Sequence, residues 1–418
     1  MDEKTKKIQN ERTKLFEDYY DNIIPERMPV AFNFALHQIE TYGNVSMIDG
    51  QYDYTKLHEP ARKMAKEIYS DTCPISGVNK DSRVAGFYQT IDSQSFKMGS
   101  SGYVQHPEVM VMQETEYGEL IKDPYKFCVD TVIPRQHKGL SLDKPVLMAK
   151  KLLMAKSYLN DSAEEMGGVI KELIEQEGYY PGQPKGSGGF TAAPFDFLSD
   201  QLRSFSKMPR DIRRHKTEVL EACEALLPLM FKYGLPQNPV PTGSIMTPLH
   251  MPTFLKEKET ATFWNPTFKK MVQEFHARGA RVLAFCEDNW MRYIDMMQDW
   301  PAGMILRFEY GDPKLIADKL AGKFLIQGLY PLSLIKTGTK QQCIDKAKAL
   351  LDIMMPTGSY LFSFDKGPIL LSDMNLENYR ALSEFVRDYA VYKNAGDTFG
   401  TKLNAEGFIP DPAFDSPI

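Results

Sequence analysis

The chain has 418 residues, of which 43% are hydrophobic and 25% are charged, and its formal net charge is -5 at pH 7. This composition is ordinary for a soluble globular protein, and the negative charge gives no electrostatic reason to expect nucleic acid or an anionic membrane as a partner. The five cysteines form no CxxC pair and no run of about 18 apolar residues occurs, so the sequence predicts a reduced, cytoplasmic protein without a disulfide framework or a membrane-spanning helix.

The first 27 residues predict a charged helical arm, and residues 29–34 (PVAFNF) then predict the first strand of a barrel. Asn33 and His37 lie at and just after the end of this strand, where their side chains would face a substrate pocket. A single histidine in such a place is more often a hydrogen-bonded core or surface residue than a functional one.

Residues 84–185 predict an insertion after this first unit. Short β segments at 86–90 and 103–112, on either side of a Gly/Ser turn at 99–102, predict a hairpin. Two amphipathic helices are expected within residues 130–170. The glycine-rich stretch 178–189 (GYYPGQPKGSGG) predicts a loop that closes over a site.

A further strand is predicted at residues 190–196 (FTAAPFD), and it ends in Asp196. Phe195 is a candidate for substrate binding and Asp196 for catalysis, because polar residues at strand ends gather where a barrel carries its chemistry. Asp200 and Arg203 follow at helical spacing and could form an ion pair.

Five short apolar runs in the second half of the chain each end in polar residues and leave room for one helix between them. They are residues 241–250 (PTGSIMTPLH), 281–288 (RVLAFCED), 304–310 (MILRFEY), 323–331 (KFLIQGLYP) and 359–367 (SYLFSFDKG). Helices are predicted between and after them, for example at 268–278, 339–355 and 376–389. Repeated alternation of buried strand and helix is typical of an α/β barrel or a doubly wound sheet, and we expect one domain over residues 1–418.

The residues that close these runs are the main candidates for chemistry. A histidine at a strand end can shuttle a proton or bind a metal, and His250, Cys286 and Glu287 together offer ligands suited to Zn²⁺. Neighbouring residues of a strand face opposite ways, however, so at most one of Cys286 and Glu287 would line the barrel. Glu309, Gln327 and Asp365 are candidates for substrate binding, although carboxylates here could equally be helix caps.

Read as a whole, the chain resembles the uroporphyrinogen decarboxylase superfamily. The resemblance rests on PLH at 248–250, VLAFCEDN at 282–289, FEYGDPKLIADKLAGK at 308–323, LIQGLYPLSLIKTGT at 325–339 and GSYLFSFDKG at 358–367. It also includes ERTKLFEDYYDNIIPERMPV at 11–30, which resembles the opening of the methyltransferase members. The resemblance implies a (β/α)8 TIM barrel.

Two departures from family patterns select a branch. Residues 33–43 (NFALHQIETYG) contain no arginine, whereas the decarboxylase holds its substrate carboxylates with an arginine-rich segment there. Relatives that activate thiols bind zinc through an HxC motif, but here Ala284 stands in the place of the histidine and Cys286 alone matches. The resemblance therefore implies the anaerobic O-demethylase type of corrinoid-dependent methyltransferase, which methylates the cobalamin of a separate corrinoid carrier protein.

This resemblance gives the candidate residues roles. The methyl donor would be a small methoxylated, aromatic compound, and His250, Glu287 and a bound zinc would stabilise its leaving phenolate. Two other interpretations stay open: a uroporphyrinogen-decarboxylase-like lyase, and a non-catalytic relative that binds a corrinoid protein. A homodimer is also compatible with the sequence.

Overall fold

The computed structural model of the protein describes residues 1–75, 85–404 and 409–414. Its strands are β1 Lys97–Met98, β2 Val104–Gln105, β3 Gly189–Phe190, β4 Ile245–Leu249, β5 Val282–Asn289, β6 Ile305–Tyr310, β7 Leu325–Tyr330 and β8 Tyr360–Phe364. The helices of the first half are α1 Glu3–Tyr20, α2 Leu36–Tyr42, α3 Met47–Tyr52, α4 His58–Met64, α5 Ala85–Thr90, α6 Tyr117–Lys122, α7 Pro124–Phe127, α8 Ile133–Gln136 and α9 Pro145–Glu177. Those of the second half are α10 Pro194–Phe197, α11 Met208–Arg214, α12 Lys216–Gly234, α13 Glu257–Glu259, α14 Asn265–Ala277, α15 Ile294–Met297, α16 Pro313–Lys319, α17 Leu332–Thr337, α18 Lys340–Met354 and α19 Leu376–Tyr389. None of these helices is both long enough and apolar enough to cross a bilayer.

The strands β3 to β8 form one six-stranded sheet in sequence order, and every neighbouring pair is parallel. The five connections between successive strands carry helices α12, α14, α15, α16 and α18, as a parallel sheet requires. All five apolar runs of the second half form strands, so the predicted α/β, TIM-barrel-like fold is confirmed. We call the end of the sheet at which β4 to β8 finish the rim.

The first part of the barrel wall differs from the regular (β/α)8 barrel of the prediction. Residues 29–34 are extended, but within the described chain they form only a single parallel bridge, from Phe34 to Ile75. Thr72 bridges in turn to Tyr180, which continues the wall towards β3. No backbone hydrogen bond joins β8 to residues 29–34 in the described structure, and the rings of Phe32 and Phe364, with centroids 5.0 Å apart, fill this seam instead.

The elements before β4 correct three local predictions. Residues 86–90 are helical, and the hairpin pairs the shorter strands β1 and β2. The two helices expected within residues 130–170 are largely one, since α9 runs for 33 residues, and residue 84, where the insertion was predicted to begin, lies outside the described residues. The strand predicted at 190–196 stops at Phe190, because Pro194 occupies the first turn of α10 and fixes a helical backbone angle.

The two faces of the sheet differ in their exposure to solvent. In β5, Val282, Ala284 and Cys286 are fully buried, whereas the alternating residues Leu283 and Phe285 are partly exposed. The same alternation occurs in β4. Because the fully buried residues face the surrounding helices, the partly exposed ones face inwards, and the interior of the wall is open to solvent.

Asp71 ties the first two segments of the wall together. Its carboxylate accepts two hydrogen bonds of 2.7 Å from Arg27 and one of 2.8 Å from the backbone N–H of Val30, and the side chain is fully buried. We expect Asp71→Ala to lower the free energy of unfolding by about 3–5 kcal/mol, because Arg27 and the Val30 N–H lose a buried partner. Denaturant unfolding followed by tryptophan fluorescence measures the loss.

The matched control is Asp49→Ala, which removes an exposed carboxylate 3.7 Å from Lys56. This change should alter stability by less than about 1 kcal/mol, since surface ion pairs contribute little. Equal effects of the two substitutions would contradict the role assigned to Asp71.

Candidate active site

His250 lies between two carboxylates at the rim. It directly follows β4, and its Nδ1 is 2.6 Å from Oδ2 of Asp200 while its Nε2 is 3.0 Å from Oε1 of Glu287. Glu287 belongs to β5, the neighbouring strand, and it has the inward-facing parity of Phe285. The structure therefore brings together two of the predicted catalytic residues, His250 and Glu287, and adds a third group, Asp200.

Asp200 comes from a π-helical turn, Leu198–Arg203, that continues α10. The hydroxyl of Ser199 donates to its second oxygen at 3.0 Å, which holds the carboxylate towards His250. The ion pair considered for Asp200 and Arg203 does not form, because Arg203 lies 2.6 Å from Asp211 instead. Sequence reasoning missed Asp200 as a site residue, since only the fold brings it next to β4.

Asp196 supports the site from below and does not reach solvent. Its side chain is 1% exposed and accepts hydrogen bonds from the backbone N–H of Met251 at 2.9 Å and from the indole N–H of Trp264 at 3.1 Å. Burial and the charge of Asp200 raise the pKa of Asp196, against the lowering effect of His250 and these hydrogen bonds. Asp196 therefore positions the turn that carries His250, and it has no direct access to a substrate.

The two carboxylates make His250 a cation. Burial by itself would lower the pKa of its imidazole, but the hydrogen bonds and charges of Asp200 and Glu287 outweigh burial and raise the pKa to about 11. Both ring nitrogens then carry a proton, and each donates to one carboxylate. The rim thus presents an imidazolium whose Nε2–H points at a carboxylate on the open side.

A second charged pair lies beside the first. Oε1 of Glu309 accepts from Nζ of Lys366 at 2.7 Å, and Oε2 accepts from the backbone N–H of Asp288 at 2.7 Å. Burial would raise the pKa of Glu309, but these two hydrogen bonds outweigh it and keep the pKa below its ordinary value. Glu309 therefore fastens the end of β5, next to Glu287, to β6 and to Lys366.

Below the rim, one row of inward-facing residues crosses three strands. Phe285, Arg307 and Gln327 are register partners on β5, β6 and β7. The Arg307 guanidinium lies over the Phe285 ring, with 5.2 Å from Cζ to the centroid. Arg307 was not predicted as a site residue, although an arginine inside the apolar run MILRFEY was a signal that could have identified it.

The ligand set predicted for zinc does not assemble. Cys286 is fully buried on the outward face of β5, opposite to Glu287, and its thiol contacts the carbonyl of Ala284 at 3.9 Å. Both nitrogens of His250 are held by carboxylates. Within the described residues, no group of three or more His, Cys, Asp and Glu side chains has the arrangement to hold a metal ion. These residues therefore do not fit a zinc ion.

Phe195 and Asp365, both predicted to bind substrate, have structural roles. Phe195 is fully buried, and its ring packs 6.4 Å from that of Phe263. Asp365 follows β8 at the rim, but its Oδ1 accepts from the backbone N–H groups of Leu332 at 3.0 Å and Lys366 at 2.7 Å. Burial raises the pKa of Asp365. Its carboxylate therefore holds the turn after β8 in place.

His37 and Asn33 lie on the first wall segment and the helix after it. Nδ1 of His37 is 2.8 Å from Glu40, and its ring packs 5.1 Å from that of Tyr103 in the inserted hairpin. No contact joins His37 to the His250 group. Asn33 is exposed, with the parity opposite to buried Phe32, which places it on the interior side of the wall, and its role in substrate binding stays a prediction.

Comparison with known proteins relates this chain to a protein family and to solved structures. Residues 170–389, slightly more than half of the chain, match the Uroporphyrinogen decarboxylase (URO-D) family. A methyltransferase from Methanosarcina mazei has a similar structure, with a TM-score of 0.53 and 13% sequence identity over 90% of this chain and 98% of that one. No curated protein matches the chain in sequence. At this identity the structural likeness concerns the fold, and the family match covers the whole six-stranded sheet and the His250 group.

The imidazole of His250 should stay doubly protonated between about pH 6.5 and 9, because its folded pKa is raised to about 11. A raised pKa stabilises the fold fully below the ordinary value of 6.5, and this contribution is lost as the pH rises towards 11. Asp200→Asn removes one anion, and we expect it to lower the pKa of His250.

Two-dimensional ¹H–¹⁵N NMR of the imidazole nitrogens tests this, with the His250→Gln spectrum to assign the resonance. The urea-unfolded chain is the control, in which all histidines should titrate near about 6.5. Titration of the His250 resonance near neutral pH in the folded protein would contradict the charged arrangement.

Proposed function

Because this chain belongs to the uroporphyrinogen decarboxylase family, we propose that its methyltransferase-like fold serves a corrinoid-dependent O-demethylation. In this reaction, a methoxylated aromatic compound gives its methyl group to the cob(I)alamin of a separate carrier protein. The observation that carries the proposal is the His250 imidazolium, held between Asp200 and Glu287 at the mouth of an open interior. An aryl ether is a poor methyl donor unless its oxygen receives a proton as the C–O bond breaks. The His250 imidazolium can donate that proton to a substrate bound at the rim.

The bonds and charges of this step balance. The cobalt(I) of the carrier attacks the methyl carbon, the C–O bond breaks, and its electron pair stays on the oxygen. His250 gives the proton on Nε2 to that oxygen, so the product is a neutral phenol. The substrate oxygen takes the place of Glu287, which now accepts the same N–H at 3.0 Å. Solvent then returns a proton to His250 through the exposed side of the rim.

The raised pKa suits a phenolate leaving group. A phenol such as tyrosine has a pKa of about 10. The pKa of His250 is raised to about 11 while both carboxylates hold it, and it falls from that value towards the pKa of the phenol when the substrate oxygen displaces Glu287. Proton transfer between groups of similar pKa costs little free energy, and a general acid works best when its pKa is matched to the reacting group. An imidazole of ordinary pKa would be largely neutral at pH 7.5 and would have no second proton to give.

The interior below His250 suits an aromatic ring. Its inward-facing residues include Met246 and Pro248 on β4 and Leu283 and Phe285 on β5, all partly exposed to the open space. Aromatic and thioether side chains pack well against a flat ring. This lining supports an aromatic methyl donor over a purely aliphatic one.

The long helix α9 offers a surface for the carrier protein. Its last part lies along the wall, where Glu165 contacts His58 and Glu172 contacts Arg62 of α4. The 33 residues span about 50 Å, and the half of α9 before Glu165 packs on the inserted segment, where Ala155 lies in a small core with Ile91 and Leu140. This first half of α9 also exposes apolar side chains: Val146, Leu147, Leu152, Leu153, Met154 and Leu159.

A corrinoid must reach the rim on a large carrier protein, and the exposed apolar side chains on the first half of α9 offer a surface to which such a partner would bind. Apolar surface of this kind is typical of protein–protein contact. We therefore assign the first half of α9 to docking of the corrinoid carrier.

For catalysis, His250→Gln should lower the rate of methyl transfer from a methoxyarene by about 10²–10⁴-fold, the usual contribution of a general acid. The loss should shrink for an ether whose phenol is more acidic, such as a nitro-substituted anisole, because that leaving group needs less protonation. Cob(I)alamin absorbance on the reduced carrier follows the reaction. His58→Gln, on α4 and away from the rim, is the control and should leave the rate unchanged.

Two outcomes would count against the proposed function. One is a wild-type protein that methylates no corrinoid carrier with any methoxylated donor. The other is release of CO₂ from a carboxylated substrate, which would identify a lyase of the decarboxylase type instead.

For docking, Leu153→Glu should raise the KM for the carrier by about tenfold or more, since a charge in the centre of an apolar interface costs at least about 1.4 kcal/mol. The rate with free cob(I)alamin should not change, because no carrier surface is then involved. Leu153 is 69% exposed, and Tyr233 on α12, at 68%, provides the matched control as Tyr233→Glu. An unchanged KM for the carrier in Leu153→Glu would exclude this surface.

A further inference from the structure

Arg307 is a charged side chain in the open interior that lacks an anionic partner within the described structure. Its Nη2 donates to the carbonyl of Phe364 at a long 3.4 Å, and its buried Nε has no hydrogen-bond acceptor. The acidic group whose charge acts on it is Asp365, whose Oδ1 already accepts from two backbone N–H groups. The guanidinium therefore lies among apolar and carbonyl groups with part of its donor capacity unused.

A desolvated guanidinium without an anionic partner costs free energy unless a bound group supplies that partner. Buried cations in native proteins are normally paired, because desolvation of an uncompensated charge costs several kcal/mol. Burial lowers the pKa of Arg307, which reports the same cost, although the guanidinium remains charged at any physiological pH. A bound anion would supply both the missing charge and the missing acceptor.

The geometry of Arg307 suits a planar oxyanion. Nε and Nη2 form one edge of the guanidinium, and two parallel N–H groups on one edge match the two oxygens of a carboxylate. The face of the guanidinium rests on the Phe285 ring, which restricts its orientation. Gln327 is its register partner on β7 and lies beside it in the same row.

We propose that Arg307 is the anchor of an anion subsite inside the barrel, and that the methyl donor is an aromatic acid whose carboxylate binds there. The identity of the donor rests on the proposed function, whereas the anion subsite itself does not. Arg307 is the register partner of Phe285, two residues before Glu287 on β5. Two residues of strand correspond to about 6.6 Å, which is comparable to the distance across a para-substituted benzene ring.

A methoxybenzoate could therefore place its carboxylate on Arg307 and its methoxy oxygen at His250. This geometry favours a carboxylate para or meta to the methoxy group and disfavours an ortho one. The class of substrate is thus a methoxylated aromatic acid bound with its acid group inwards.

Equilibrium binding tests the subsite without methyl transfer. Calorimetric titration of the full chain should show that para-hydroxybenzoate, the demethylated product, binds at least about tenfold more tightly than the neutral para-hydroxybenzamide, which corresponds to about 1.4 kcal/mol. Arg307→Met keeps a long apolar side chain on Phe285 and should abolish this difference. Arg213→Met, which removes an exposed cation on α11, is the matched control and should preserve the difference.

A second readout needs no ligand. Removing a partly desolvated cation that has no ion pair among the described residues should raise the melting temperature of Arg307→Met above that of the wild type, because the desolvation cost disappears. A cation with a structural partner would give the opposite result. A lower melting temperature, or equal binding of the acid and the amide by the wild type, would overturn the anion subsite.

Two experimental outcomes distinguish a failure of the anion subsite at Arg307 from a failure of the proposed O-demethylase function. Methyl transfer from neutral methoxyphenols, with no preference for acids, would refute the anion subsite and leave the O-demethylase function standing. Arg307-dependent binding of para-hydroxybenzoate, without methyl transfer from any methoxybenzoate, would support the subsite and refute the function.

Discussion

The contact on which the rest of the site depends is the pair of short hydrogen bonds that hold His250 between Asp200 and Glu287. Three separate elements supply these groups: the π-helical turn after α10, the end of β4, and β5. Each carboxylate alone would be a partly buried anion, and the imidazole alone would lose its proton on burial. Together they stabilise one charged state, so the position of each element at the rim depends on the other two.

Local packing outside the wall makes this arrangement rigid. Asp196, buried below the site, holds the backbone after β4 and is itself held by the indole of Trp264. Trp264 packs against Trp290, whose indole donates to the backbone carbonyl of Glu287 at 2.8 Å. The aromatic cluster between sheet and helices thus fixes both the residue after His250 and the strand that carries its partner. Stability of the outer core and geometry of the inner site rest on the same side chains.

Sequence periodicity predicted the second half of the fold well, because strands of a parallel sheet have both faces largely removed from water and therefore appear as continuous apolar runs. It predicted the first half less well. The segment 29–34 has the composition of a strand, but its neighbours hold it through Asp71 and aromatic side chains instead of a hydrogen-bonded ladder, and no local pattern encodes that. The site shows the same limit. His250 and Glu287 stood out as strand-end residues, whereas Asp200 matters only because a turn 50 residues away folds beside β4.

The charges of the site are ordered along the barrel, and this order has a consequence for any ligand. At the rim, two carboxylates surround one imidazolium, so the group carries a net negative charge and repels an anion. Deeper in the interior, Arg307 carries a positive charge with no ion pair among the described residues. A molecule with one anionic and one neutral end is therefore driven to enter with the anionic end first. The neutral end then lies beside Nε2–H of His250, on the open side of the rim. In a methoxylated donor this neutral end carries the ether oxygen, which is the atom that needs a proton.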